Sequence, residues 1–155
     1  VRNFKLKAIG LRFFTVYGPY GRPDMAYFSF INKLYTQKKI TVFNKGKMLR
    51  DFTYIEDIVE GILKLLQKKI KPNHCVVNLG KGKPDKLFDL IRYIEKNTKK
   101  KFNINFTKSI PTGDIKKTYA NVGKIKKLVN WHPKTKLEMG ISTFVSWYKK
   151  YYAKD

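Results

Sequence analysis

The sequence is poor in cysteine, in acidic residues and in long apolar runs. Cys75 is the only cysteine among its 155 residues, so no internal disulfide can form, and we expect a reducing compartment, the cytoplasm. No apolar run reaches the roughly 20 residues that a membrane-spanning helix needs, and residues 1–11 lack the apolar core of a signal peptide. We therefore expect no membrane association. The first residue is Val1 rather than Met, which favours a part cut from a longer chain.

Residue sets for several common chemistries are also missing. The two histidines, His74 and His132, have no neighbouring cysteine or acidic cluster of the kind that holds zinc. No glycine-rich phosphate loop with its lysine occurs, and no Gly-x-Ser-x-Gly nucleophile turn. The Gly80-Lys-Gly82 turn lacks the third glycine and the downstream acid of a dinucleotide-binding turn. The sequence thus predicts neither a metal site nor a dinucleotide cradle.

Basic residues, in contrast, are abundant. Lysine and arginine total 34 against 11 acidic residues, which gives a formal net charge of +23. Such a charge is typical of proteins that bind nucleic acid or another anionic partner. The lysines are spread along the whole chain in pairs that suit solvated helix faces, and no aromatic-basic pattern of an RNA-binding sheet accompanies them. This distribution of lysines argues against nucleic-acid binding. We keep a basic nucleic-acid-binding module as an alternative.

Apolar periodicity predicts strands that alternate with helices. With 43% apolar residues, 11 Phe and 10 Tyr, the composition supports a folded domain rather than disorder. The patterns predict strands at 8–17, 40–43, 75–80 and 104–106, and helices at 25–38, 53–67, 87–96, 122–130 and 137–152. Thr53 and Glu56 have the spacing of a capping box that opens the second helix, and Pro72 ends that unit. The alternation indicates the α/β class.

The first candidate site follows the first predicted strand. Period two places Thr15 on one face of this strand and Phe14 on the other, and ligands of open α/β sheets bind where strands end. Gly18-Pro19 and Gly21-Arg22-Pro23 then predict a rigid loop. The planar guanidinium group of Arg22 can hold a carboxylate through two parallel hydrogen bonds. The alternative is a loop with a solvent-facing arginine.

The second candidate site starts at the strand 40–43. Val42 and Phe43 offer an apolar surface on which a flat ring such as uracil can lie. Arg50 follows a glycine-containing turn and precedes a helix start, so it can reach a diphosphate. An edge strand with a surface arginine is the alternative. We interpret Asp57 as a first-turn helix residue that the helix dipole stabilises, not as a catalyst.

The third candidate site is Asp114, in the stretch Thr112-Gly113-Asp114. An ionised aspartate in a turn can accept two hydrogen bonds from a ribose diol. The alternative is an ordinary turn in which the aspartate side chain bonds to the neighbouring backbone. The residue types alone leave these two interpretations open.

Together these stretches resemble a known family. The stretch from Gly10 to Ala26 and the stretch from Arg50 to Gly61 are similar to the second half of extended short-chain dehydrogenases that epimerise nucleotide sugars. Thr15 stands where most of that family has Asn, and this Thr resembles the UDP-glucuronate 4-epimerase branch. The resemblance implies α/β architecture: the end of the parallel Rossmann-like sheet plus the small substrate-binding subdomain. Residues 1–155 would then form one partial domain, without the N-terminal NAD-binding half.

The resemblance also implies roles for the residues that bind the substrate. Thr15 and Arg22 would recognise the sugar carboxylate. Val42 and Phe43 would line the uracil, and Arg50 would bind the diphosphate. By the same resemblance, no catalytic residue lies in this chain.

The same resemblance implies roles for two further residues. This chain also differs from the family pattern at two places. Asp114 would bind the ribose, and Phe14 would lie near the nicotinamide ring of the cofactor. The family commonly reads Arg-Pro-Gly-Asp or Gln-Pro-Gly-Asp where this chain has Pro111-Thr112-Gly-Asp, so the second phosphate ligand is absent. The family's Ala-Asp is also changed, to Ala120-Asn121.

Tyr35 and Lys39 imitate the catalytic Tyr-x-x-x-Lys pair of this superfamily. In the family that pair precedes the strand that carries Thr15, whereas here it follows that strand. Tyr35 holds a core-facing position of a predicted helix. We therefore interpret the pair as a packing residue and a solvated lysine.

The resemblance implies a reaction for the intact protein, the interconversion of UDP-glucuronate and UDP-galacturonate. NAD would be the cofactor, a 4-keto sugar the intermediate, and an upstream Tyr-Lys pair the base. A homodimer would form through the missing half. This chain alone is expected to bind the UDP-sugar and to be inactive. Part of another NAD-dependent nucleotide-sugar dehydratase or decarboxylase is the alternative.

Overall fold

Five α-helices, one short 3-10 helix (Phe43–Gly46) and eight short strands lie in the described part of the chain, residues 7–69 and 74–153 of a computed structural model. The strands are β1 (Ala8–Phe13), β2 (Thr15–Tyr17), β3 (Ile40–Val42), β4 (Leu49–Arg50), β5 (Phe52–Tyr54), β6 (His74–Leu79), β7 (Asp85–Lys86) and β8 (Ile104–Phe106). The helices are α1 (Ala26–Tyr35), α2 (Ile55–Gln67), α3 (Leu87–Thr98), α4 (Gly123–Val129) and α5 (Leu137–Tyr151). The predicted α/β class is therefore confirmed. Pro72 lies outside the described residues.

Parallel pairing joins strands that are far apart in the sequence. β1 pairs with β6, with Ile9 opposite Cys75, and β2 pairs with β5, with Tyr17 opposite Tyr54. β3 and β8 are also parallel, whereas β4 and β7 are antiparallel. A parallel pair needs a long crossover connection. The helices that lie between the paired strands in the sequence are part of these connections.

The predicted strand 8–17 is interrupted at Phe14. The amide of Thr15 donates to the carbonyl of Asp51 (3.1 Å), and the amide of Val16 donates to the carbonyl of Phe14 (2.9 Å). This local bend lets β1 pair with β6 while β2 pairs with β5. The end of β1 and the start of β2 therefore face different parts of the molecule.

The predicted capping box at Thr53 is wrong. Thr53 is buried in β5, and its hydroxyl group donates to the Asp51 carboxylate (3.1 Å) instead of accepting from a helix amide. Helix α2 begins at Ile55, with Glu56 and Asp57 in its first turn. Tyr54, not Thr53, is the N-cap residue of α2, and the Thr53 hydroxyl group bonds to the carboxylate two residues upstream.

Two apolar clusters hold the helices on the strands. The larger cluster joins α1, α3 and α5 around Tyr17, Phe28 and Phe144, and the smaller one joins α2, α4 and β6 around Trp131. Trp131 is fully buried, and its indole N–H donates to the carbonyl of Asp57 (3.0 Å). The predicted first-turn position of Asp57 is confirmed.

Two glycines permit close approaches that a side chain would prevent. At Gly140 in α5, a Cβ atom would lie 2.2 Å from the Tyr17 hydroxyl oxygen, so the helix can lie against this ring only with glycine there. Gly18 follows β2 with φ of +140°, a conformation open to glycine, and starts the loop that carries Arg22.

No described helix combines the length and the apolar composition that a membrane crossing requires. In residues 7–69 and 74–153, no group of three or more His, Cys, Asp or Glu side chains is arranged to hold a metal ion.

Candidate functional site

Four of the residues singled out in the sequence line one cleft of about 590 Å³: Thr15, Phe43, Arg50 and Asp114. One face of helix α1 forms a wall of this cleft, and the other contributors are neighbours of β3, β4 and β5. The lining is mixed. Hydroxyl groups of threonine and serine alternate with phenylalanine and methionine side chains, and four charged side chains reach the cleft. Such a mixed surface suits a ligand that has both apolar and polar parts.

Arg50 and Asp114, 64 positions apart, form an ion pair in this cleft. Their side chains are 18% and 37% exposed. The pairing follows from the backbone, because the amide of Leu49 donates to the carbonyl of Lys116 (3.0 Å) and the amide of Thr118 donates to the carbonyl of Leu49 (3.2 Å). The segment after Asp114 thus runs along β4 and delivers the carboxylate to the guanidinium group.

Asp51, the residue next to Arg50, anchors three segments at this site. Its carboxylate is fully buried. It accepts the amides of Lys81 (2.6 Å), Gly82 (2.8 Å) and Ala120 (2.8 Å). Sequence reasoning missed this residue, because an aspartate before a predicted helix has many ordinary explanations. The turn after β6 and the segment that carries Asp114 are therefore both tied to the strand that carries Arg50.

The structure does not place the side chain of Val42 in the cleft. Val42 is fully buried in the larger apolar cluster, whereas Thr41 and Phe43 on either side of it line the cleft. Thr41 lies on the other face of β3 because side chains alternate along a strand, and Phe43 follows the end of β3 as the first residue of a short 3-10 helix. The predicted ring-binding surface therefore has Phe43 but not the Val42 side chain.

Thr15 and Arg22, which were expected to act together, line different cavities. Arg22 lines a larger cavity of about 1050 Å³, while Asp24 lines the cleft that contains Thr15. The Arg22 guanidinium group donates two hydrogen bonds to Asp24, of 3.1 and 2.6 Å. Through its hydrogen bonds, Arg22 lowers the pKa of the Asp24 carboxyl group. Since Met25 lines both cavities, this exposed pair lies on the ridge between them.

Seven of the 18 residues that line the larger cavity are aromatic. Phe13 and Phe14 line one part of it, and Tyr20, Trp147 and Tyr151 line another. Phe14 also lies close to the turn after β6, since its ring would be 3.3 Å from a Cβ atom at Gly80. This places Phe14 at the carboxyl end of the parallel pair formed by β1 and β6.

Tyr35 and Lys39 do not form a site. The Tyr35 ring packs against Tyr148 at 5.5 Å between ring centres, and the ammonium group of Lys100 lies 5.5 Å from the Tyr35 ring centre. Lys39 is exposed after the end of α1. The interpretation of Tyr35 as a packing residue is confirmed.

Comparison with known proteins identifies the class. Residues 1–80 match the NAD dependent epimerase/dehydratase family, and the chain belongs to this family. It is 42% identical over 166 residues to UDP-glucuronate 4-epimerase 4 of Arabidopsis thaliana, which covers 98% of this chain and 38% of that protein. It is 46% identical over 145 residues to an uncharacterized protein of Methanocaldococcus jannaschii, which covers 94% of this chain and 44% of that protein. The chain spans half the length, or less, of these curated relatives.

Solved structures show the same fold. UDP-glucuronic acid 4-epimerase from Bacillus cereus, in complex with UDP-glucuronic acid and NAD, superposes with a TM-score of 0.87 at 36% identity. The match covers 97% of this chain and 48% of that one. UDP-glucose 4-epimerase of Thermotoga maritima with UDP-glucose gives a TM-score of 0.84 at 26% identity, over 96% of this chain and 48% of that one. The predicted extended short-chain dehydrogenase fold is confirmed.

Proposed function

We propose that this chain is the nucleotide-sugar-binding portion of a UDP-glucuronate 4-epimerase. One observation carries the proposal: Thr15, Phe43, Arg50 and Asp114 come from four separate segments and line one cleft. The similarity to the Arabidopsis thaliana and Bacillus cereus 4-epimerases supports the same substrate class.

Each of these residues has chemistry that fits a part of a UDP-sugar. Arg50 offers a cation with several N–H donors to the diphosphate. Asp114 offers its Oδ2 atom to the ribose diol, since its Oδ1 atom already accepts from Arg50 and from the amide of Ile115. Phe43 offers an apolar face to the uracil ring. Thr15 offers a hydroxyl group to the sugar end. In a bound UDP-sugar the uracil, ribose, diphosphate and sugar follow one another. The ligand would therefore meet Phe43, Asp114, Arg50 and Thr15 in that order.

Arg22 would reach the sugar carboxylate by leaving Asp24. The Arg22 and Asp24 side chains are 77% and 60% exposed, and exposed ion pairs of this kind are held weakly. A C6 carboxylate placed at the ridge would offer Arg22 the same two-oxygen partner that Asp24 provides. Specificity for a uronic acid over a neutral sugar would then depend on this exchange.

NAD fits this chain only at the nicotinamide end. The turn after β6 is closed to a pyrophosphate, because Asp51 already accepts the amides of Lys81 and Gly82. Phe13 and Phe14 offer an apolar wall in the larger cavity, which suits a flat ring. When bound, NAD supplies the hydride chemistry at the sugar C4 atom.

We assign three features to the part of the relatives that lies outside the match to this chain. They are the acid-base pair, the rest of the cofactor site and the homodimer contact. The intact protein would be an isomerase, and this chain alone would bind substrate without turnover. Titration calorimetry of the chain with UDP-glucuronate, UDP-glucose and a single-stranded RNA oligonucleotide tests the proposal. We expect binding of the UDP-sugars that Arg50→Ala weakens, and no epimerisation above a blank.

Two results would contradict this proposal. Turnover by the purified chain would mean that its catalytic groups are complete. Tight, strongly salt-dependent RNA binding, without any UDP-sugar binding, would support the nucleic-acid module instead.

A further inference from the structure

Around the cleft, positively charged side chains outnumber negatively charged ones. Asp24 is held by Arg22 at 2.6 Å, and Asp114 is held by Arg50. Lys33 is the remaining charged residue that lines the cleft. Within residues 7–69 and 74–153, Lys33 makes no ion pair with a carboxylate. Three cations thus surround two carboxylates, and the excess positive charge belongs to Lys33.

The position of Lys33 follows from the geometry of α1. Ala26, Ser29, Phe30 and Lys33 all line the cleft, and their spacing of three and four residues puts them on one face of the helix. From Ala26 to Lys33 the helix rises about 10 Å, at 1.5 Å per residue. Lys33 is half-buried, whereas the next lysine, Lys38, is exposed beyond the helix end.

Arg50 by itself has too little uncompensated positive charge to neutralise a diphosphate. One of its terminal nitrogens donates to the carbonyl of Leu49 (3.0 Å), and the other is paired with Asp114. A guanidinium group has five N–H donors, so some remain free for a ligand. Its charge, however, is already shared with a carboxylate.

We propose that Lys33 supplies the second cationic contact to the diphosphate, opposite Arg50 across the cleft. This proposal rests on the proposed function for the identity of the ligand. The anion site itself rests only on the charges and the lining of the cleft. An ammonium group can follow a phosphate without a fixed geometry, which suits a contact from a helix wall.

The test is titration of the full chain with inorganic pyrophosphate, UDP, UMP and uridine. We expect Lys33→Met, which keeps most of the aliphatic stem but removes the charge, to weaken pyrophosphate and UDP by roughly tenfold or more. UMP should lose less, and uridine should be unaffected. Lys38→Met is the matched control, because it removes one charge near the same helix from an exposed position. Circular dichroism melts establish that each variant is folded, and Lys33→Arg should restore most of the affinity.

The outcomes separate this proposal from the proposed function. If Lys33→Met binds pyrophosphate and UDP as the Lys38→Met control does, while Arg50→Ala weakens both, Lys33 is not a ligand. If pyrophosphate binding depends on Lys33 and Arg50 but uridine adds nothing to affinity, the anion site stands and the UDP-sugar assignment falls. Absence of pyrophosphate and UDP binding to the unmodified chain would overturn both.

Discussion

The hydroxyl groups of Tyr20 and Tyr151 lie 3.0 Å apart and join the loop after β2 to the end of helix α5. The Tyr20 ring also contacts Trp147 at 5.1 Å between ring centres. Tyr20 adopts φ of +58°, a backbone conformation that is uncommon for a residue with a side chain. The aromatic contact with α5 therefore holds a strained loop, and this loop carries Arg22.

A double-mutant cycle tests this anchor. We expect Tyr20→Phe and Tyr151→Phe each to weaken UDP-glucuronate binding, and the double variant to lose no more than either single one, because both remove the same hydrogen bond. Calorimetric affinities check the cycle, and Tyr119→Phe serves as a control because Tyr119 lines neither cavity. Additive losses would show that the two hydroxyl groups act separately.

Arg50→Ala should weaken UDP-glucose and UDP-glucuronate alike, by about 1.5–3 kcal/mol, the usual contribution of a hydrogen bond to a charged group. The reason is that Arg50 is assigned to the diphosphate, which both ligands share. Arg12→Ala is the matched control, since Arg12 is exposed on β1 and does not line the cleft. Equal affinities for wild type and Arg50→Ala would remove Arg50 from the site.

Arg22→Ala should discriminate between charged and neutral sugars. If Arg22 holds the C6 carboxylate, its loss should reduce UDP-glucuronate affinity roughly tenfold or more and leave UDP-glucose almost unchanged. Lys at this position should restore only part of the affinity, because an ammonium group lacks the planar fork. Thr15→Val should act in the same direction more weakly. Parallel losses for both sugars would make Arg22 a loop-stabilising residue.

Asp51→Ala should destabilise the fold by about 3 kcal/mol or more, because one buried and two partly buried amides would lose their acceptor. The free energy of unfolding in urea measures the loss. Asp89→Ala removes a carboxylate with an exposed Arg92 partner and should change stability by less than about 1 kcal/mol. A similar effect of both substitutions would contradict the anchoring role of Asp51.

Asp85 should give the stability a measurable pH dependence. Burial raises the pKa of Asp85, and the hydrogen bond from Lys81 opposes this shift only in part. A carboxyl group with a raised folded-state pKa binds its proton more tightly in the folded state, so its ionisation costs stability. That cost is absent below the unfolded pKa of about 3.9 and is complete above the raised folded value.

Asp85→Asn removes this titration. Its melting temperature relative to wild type should therefore rise as the pH increases from about 3.9 through the raised folded pKa. Thermal melts of both proteins across this pH range measure the difference. A difference that stays constant with pH, or that falls as the pH increases, would contradict a raised pKa.

Local patterns in the sequence were sufficient for most elements. The predicted strand at 104–106 coincides with β8, and the predicted start of the last helix at Leu137 coincides with the start of α5. Apolar period and turn residues act over a few positions, so they can be read without knowing the fold. The packing of Tyr35 followed from the same periodicity.

Contacts between distant segments required the tertiary structure. The sequence by itself identified Arg50 and Asp114 as separate candidates, but only the docking of residues 116–118 along β4 made them partners. The side chain of Val42 in β3 is buried, whereas Phe43, just after the strand, lies in the cleft. The Asp51 carboxylate took the Thr53 hydroxyl group that the capping box required. The tertiary structure decides all three, because it determines which face of a strand is buried and which backbone groups and side chains meet.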